Sequence, residues 1–121
     1  MADRPDYFWL FFKLSGRLGR AGYFLAGTFV WLTQIFLLYR FAQAPEGSGL
    51  SQALALVFMA SIVVGAWSNF ALTAKRFHDF GKPTGLAVVS LVIGYLLVIV
   101  LSFVKSDPGP NSYGSRPNAE S

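Results

Sequence analysis

Three long stretches without a charged side chain constrain this chain more than any other feature: residues 21–39, 47–74 and 83–104, which run for 19, 28 and 22 residues. A helix rises about 1.5 Å per residue, so roughly 20 residues cross the ~30 Å hydrocarbon layer of a bilayer, and each run is long enough. The last run is the most apolar, with 14 of the 19 residues from 86 to 104 being Leu, Ile, Val or Phe. On an insertion scale those residues contribute roughly −4 to −8 kcal/mol before Ser90, Gly94, Tyr95 and Ser102 are set against them. A soluble helix of this length would carry a polar stripe. Hydrophobic types make up 54% of the chain and charged types 13%, against about 25% charged in a soluble domain, and 121 residues fold to a single domain too small to hide so much apolar surface.

The runs therefore predict an all-α integral membrane protein with about three transmembrane helices, near 21–39, 50–74 and 86–104, since a helix satisfies its own backbone in lipid. Turn formers separate them: Ala44, Pro45, Glu46, Gly47, Ser48 and Gly49, then Gly81, Lys82, Pro83, Thr84 and Gly85. A polar tail, 105–121, follows. Ahead of the first span, residues 6–15 hold Tyr7, Phe8, Trp9, Phe11 and Phe12. That segment is too short to span and reads as a short amphipathic helix lying in the interface, or as a cap on the bundle's end. The opening Met-Ala-Asp-Arg-Pro-Asp carries two acids and leads to no small-residue cleavage site, so the first span is expected to remain as an anchor.

Lysine and arginine placement gives an orientation. Arg4, Lys13, Arg17 and Arg20 precede the first span, and Lys75, Arg76 and Lys82 surround the second loop. With three crossings, Arg40, Lys105 and Arg116 fall on the other side. Seven against three puts the N-terminus in the cytoplasm and the tail outside. The net charge of +4 and pI near 9.7 would suggest nucleic acid in a soluble protein, but these cations flank apolar runs, so the bilayer is the expected partner and nucleic acid is not.

Three polar clusters stand out. Gly16, Arg17 and Arg20 form a glycine-loosened turn, with the arginines as stop charges or as contacts for anionic headgroups. In the second, Arg76 and Asp79 would pair three residues apart if the second helix continues. His78 is the only histidine, and with no cysteine it lacks the ligand number zinc requires. It is expected to behave as a surface group whose loss costs no stability. The third, Gly109, Pro110, Asn111, Ser112, Tyr113 and Gly114, then Arg116 and Pro117, reads as successive tight turns folded against the bundle's outer face. Within the spans, Ser61, Gly65 and Asn69 recur every four residues, a spacing that lets helices approach closely. The spans lack the ionisable residues of a proton or ion pathway.

Taken in order, these clusters resemble the bacterial domain-of-unknown-function 805 family of small inner-membrane proteins. Its Gly-Arg-x-x-Arg motif followed by aromatics matches Gly16, Arg17, Arg20, Tyr23 and Phe24. Its Arg-x-His-Asp motif matches Arg76, His78 and Asp79, and its tail motif matches Gly109, Asn111, Tyr113, Gly114 and Pro117. Where that pattern has Ser-Gly-Trp after the Asp loop, this chain has Pro83, Thr84, Gly85 and Leu86. Where the tail often opens Gly-Thr, it has Ser106 and Asp107. The resemblance implies a bacterial cytoplasmic-membrane location and brings no activity with it. The expected function is non-enzymatic, without cofactor or metal, acting through anionic lipid or another membrane protein. Arg17, Arg20, Lys75, Arg76 and Lys82 are its expected contacts. The alternative is a membrane enzyme or small-solute transporter using Arg76, His78 and Asp79.

Overall fold

The structure, a computed structural model, describes residues 6–118, which are all-helical. Arg4 and the last three residues of the tail lie outside the described residues. Helix α1 (Tyr7–Phe12) is short and opens on Asp6, whose carboxylate accepts from the Trp9 amide at 3.0 Å. Helices α2 (Arg20–Gln43) and α3 (Gly49–Asp79) form an antiparallel pair. Ser48 caps α3, its hydroxyl accepting from the Ser51 amide at 3.0 Å, a bond that satisfies one of the orphan amides of the first turn. At 24 and 31 residues the two helices extend about 36 and 46 Å. Both are long and apolar enough to cross a membrane.

The pair seats on Gly65. A Cβ there would lie 2.2 Å from Nε2 of Gln34, whose amide donates to the Ser61 carbonyl at 2.9 Å. The four-residue spacing of Ser61 and Gly65 thus marks a close approach of α2 to α3, as small residues allow. Buried apolar residues gather toward one end: Leu18, Tyr23, Ala26, Val30, Leu72, Leu97, Val98 and Leu101. The far half of α3 is bare, with Leu56 and Val63 both 71% exposed.

The third apolar run does not form a third spanning helix. It breaks into a 3-10 turn (Thr84–Val89), α4 (Ser90–Ile93) and α5 (Tyr95–Ser102). Gly94 separates α4 from α5 at φ 74°, ψ −143°, a region essentially confined to glycine. Each arm is well short of 30 Å; the eight residues of α5 rise about 12 Å. The run enters and leaves at one end. Thr84 touches His78 at the C-terminal end of α3, and Ser102 accepts from Arg20 at the start of α2. The segment is a hairpin whose tip at Gly94 rests on Trp31, with a Cβ there 3.5 Å from the indole. The expected crossing over 86–104 is thereby corrected. The tail returns to the end of the helix pair that carries α1, where the Gly19 amide donates to Asn118 Oδ1 at 2.8 Å.

Helix α1 docks on α3 as a cap. Trp67 Nε1 donates to the Phe12 carbonyl at 2.9 Å, Lys75 Nζ donates to the Trp9 carbonyl at 2.6 Å, and Trp9 is buried. Tyr7 and Phe8, each 63% exposed, face away from that contact.

Candidate functional site

The last turn of α3 continues beyond the apolar run and carries Lys75, Arg76, His78 and Asp79 into the protein's interior. Arg17, Arg76 and Asp79 have no exposed surface. The Asp79 carboxylate bridges both guanidinium groups: Arg17 Nε donates to Oδ1 at 3.0 Å and Arg76 Nη1 to Oδ2 at 2.6 Å. Ser106 Oγ also donates to Oδ2. The i,i+3 pairing of Arg76 with Asp79 that the sequence allows is present, and Arg17 joins it from 62 residues away.

Main-chain carbonyls take the rest of the positive charge. All five N–H groups of Arg17 are used, since its two terminal nitrogens donate to Gly109 at 2.7 Å, Gly114 at 3.3 Å, Asp79 at 3.2 Å and Asp107 at 2.9 Å. Arg76 donates to the carbonyls of Leu101 at 2.9 Å, Leu18 at 3.0 Å and Val104. Helix α5 ends here, and a helix end leaves its last carbonyls without partners; Arg76 takes Leu101 while Arg20 Nε takes Ser102 at 3.0 Å. Two guanidinium forks and one carboxylate therefore tie together the turn before α2, the end of α3, the returning arm of the hairpin and the tail. Arginine suits this because its planar fork is always charged and presents donors in fixed directions.

His78 lies on the other side of the knot and is buried. Its Nδ1 donates to the Gly16 carbonyl at 2.9 Å, so in the neutral ring Nε2 accepts from the Thr84 hydroxyl at 2.7 Å. The Tyr113 ring stacks on it with centroids 4.1 Å apart and planes 2° from parallel. Asn111 holds the tail in place, its amide donating to the His78 carbonyl and to Asp107 Oδ2, both at 2.9 Å. Its Oδ1 accepts from the Tyr113 amide at 2.8 Å. Pro117 lies against Gly19.

Gly16, Arg17, Arg76, His78, Asp79, Gly109, Asn111, Tyr113 and Gly114 thus meet at one place. This corrects three expectations. The tail belongs to the end of the molecule that carries Arg17 and Arg76, because its carbonyls are their acceptors. Arg17, Lys75 and Arg76 do not offer charge to headgroups, because all three are fully buried with their donors spent on the protein. His78 is not a surface group, and its two ring nitrogens bond to the Gly16 carbonyl and the Thr84 hydroxyl. Of the expected contact residues, Arg20 and Lys82 are the exposed ones. Thr84, expected only as a turn former, and Ser106 and Asp107, expected only as part of the polar tail, all bond within the knot.

Removing the His78 ring deletes two hydrogen bonds and a stacked aromatic contact. His78→Ala is expected to lower stability by about 2–4 kcal/mol, read as thermal unfolding in detergent. His78→Phe, which keeps a ring against Tyr113, should recover part of the loss. A loss below about 1 kcal/mol for the alanine variant would count against the buried role.

A family model described as "Protein of unknown function (DUF805)" matches residues 11–115, which include the first two motifs, the tail motif as far as Gly114, and the buried ion-pair knot. No curated protein and no solved structure matches the chain. With the match running over most of its length, the chain belongs to the DUF805 family.

Proposed function

We propose that this is a protein of a bacterial cytoplasmic membrane with two crossings, α2 and α3, and one re-entrant hairpin. Both ends lie in the cytoplasm, and the protein acts by holding anionic lipid on its cytoplasmic rim. The observation that carries this reading is the distribution of charge about the fold. Lys13, Arg17, Arg20, Lys75, Arg76, Lys82, Lys105 and Arg116 share the knot's end of the helix pair, whereas Arg40 is the only described lysine or arginine at the other. The returning hairpin turns the seven-to-three count for three crossings into eight to one among the described residues, a stronger cytoplasmic bias. Arg20, Lys82, Lys105 and Arg116 are exposed around the buried knot. They are placed to meet phosphates where the apolar surfaces of α2 and α3 end.

Juxtamembrane cations gain on the order of 1 kcal/mol each near anionic lipid. Exchanging Lys82, Lys105 and Arg116 together for Gln should weaken retention of anionic phospholipid by roughly a hundredfold, at about 1.4 kcal/mol per tenfold. Native mass spectrometry of the purified protein reads the retained lipid. Fluorescent-protein fusions at the C-terminus, which should light up on the cytoplasmic side, verify that orientation is kept. Unchanged lipid would reduce the rim to an orientation signal. Loss of a co-purifying acidic protein in place of lipid would make a partner segment the ligand. The rival reading, an enzyme or transporter built on Arg76, His78 and Asp79, gains no support from the geometry, since the polar groups of those side chains are engaged in holding segments together.

A further inference from the structure

Between α2 and the returning arm of the hairpin runs an open groove of about 760 Å³, walled by Arg20, Ala21 and Phe24 on one side and by Tyr95, Ile99 and Phe103 on the other. Two hydrogen bonds set the register of its walls. Arg20 Nε donates to the Ser102 carbonyl at 3.0 Å, and two turns deeper the Thr28 and Tyr95 hydroxyls meet at 2.8 Å. Arg20 and Thr28 are eight residues apart, about 12 Å along the axis. Between those two points the walls are apolar, and Phe24, Ile99 and Phe103 are all exposed.

One end of the groove is charged. Arg20 is exposed, and beyond its bond to Ser102 its four terminal N–H groups have no partner among the described residues. That distinguishes it from Arg17 and Arg76, which share Asp79 and leave no carboxylate for a third guanidinium. Burial pushes Arg76 below its ordinary value, and the like charge of Arg20 pushes the same way. An anion on Arg20 would offset that repulsion. The hollows beside α1 and beside the hairpin tip have no charged residue on their walls.

The groove therefore asks for an amphiphile. A planar guanidinium fork matches phosphate oxygens, and the exposed apolar walls below it match an alkyl chain. Arg20 immediately precedes the charge-free run 21–39. On the membrane-spanning reading its fork lies at headgroup level, and the groove descends from there alongside the lipid chains. No acidic side chain lines the groove, so an ammonium headgroup finds no partner in it. The complementary lipid carries net negative charge.

We propose that this groove holds one anionic phospholipid, its phosphate on the terminal nitrogens of Arg20 and one acyl chain along Phe24, Ile99 and Phe103. The inference rests on the anionic-lipid reading above and deepens it, adding to the diffuse rim of Lys82, Lys105 and Arg116 a discrete site that takes a single lipid.

The test adds phosphatidylglycerol or phosphatidylethanolamine to the delipidated full chain in detergent and counts bound lipid by native mass spectrometry. Wild type should keep one phosphatidylglycerol under activation that strips the others, and should discriminate against phosphatidylethanolamine. Arg20→Gln should weaken that lipid by about ten- to a hundredfold, the effect of losing hydrogen bonds to a charged group. Ala21→Phe fills the groove from an exposed position and leaves the charge in place, and it should weaken the lipid comparably. Inorganic phosphate should not displace it. Unchanged retention in either variant, equal binding of the two lipids, or displacement by phosphate would each overturn the site, the last making its ligand a free anion. The Lys82, Lys105 and Arg116 variant separates groove from rim: it should shed the loosely held lipid and keep the one on Arg20. Loss of every lipid from that variant would leave the rim without the groove, whereas loss from Arg20→Gln alone would leave the groove without the rim.

Discussion

Asp79→Asn is expected to cost about 3–5 kcal/mol of stability, the range seen when one partner of a buried ion pair is removed. The substitution keeps the shape of the side chain and takes away only the charge that Arg17 and Arg76 share. Both guanidinium groups would then be held in a sealed site by dipoles alone. Chemical or thermal unfolding in detergent measures the loss. Arg17→Gln should cost a similar amount, and the double variant should fall short of the sum by on the order of 1–3 kcal/mol, because both changes break one shared contact. A drop of less than about 1 kcal/mol for Asp79→Asn would mean that the ring of carbonyls holds the arginines without the carboxylate.

Gly94→Leu should be the next most damaging single change. At φ 74° and ψ −143° a side-chain-bearing residue is forced into backbone that only glycine occupies readily, at a cost of about 1–3 kcal/mol. The new side chain would also grow from a Cβ only 3.5 Å from the Trp31 indole. Gly94→Ala separates the two contributions, since it carries the backbone strain with little of the bulk. Unfolding in detergent gives the stabilities, and protease digestion of the intact protein reports whether the two arms still lie together. Equal stability for glycine, alanine and leucine at this position would remove the tip as the reason the run turns back.

The sequence and the structure agree on what charge spacing can determine. The expected spans 21–39 and 50–74 lie in α2 and α3, and the turn formers at 44–49 lie where the chain reverses. Residues 83–104 read as a span because hydropathy counts composition, and composition does not register that Gly94 lies mid-run or that the two flanks are held by His78 and Asp79 at the end of α3, through Thr84 and Ser106. Orientation is tied to it, since the seven-to-three count rests on a third crossing that separates Lys105 and Arg116 from the other cations. Arg17 and Arg76 looked like exterior charges because cations beside spans usually are. Their burial depends on acceptors from parts of the chain that sequence spacing alone does not bring together: Leu101, Val104, Asp107, Gly109 and Gly114. One signal was there to be read. Asp79 is the single acid within the two basic segments, so two arginines competing for it were candidates for a shared site.

The span between Arg17 and its most distant acceptor, 97 residues, bears on the order in which the protein is made. Synthesis delivers Arg17 and both long helices first, and the carbonyls that receive the guanidinium last. Before residues 105–114 are made, Asp79 can pair with both arginines, but Arg17 still lacks its acceptors on Asp107, Gly109 and Gly114. Seating of the tail is therefore what completes the set of acceptors around Arg17. A chain ending before Gly109 would lack the Gly109 and Gly114 carbonyls, and with them both acceptors of Arg17 Nη1.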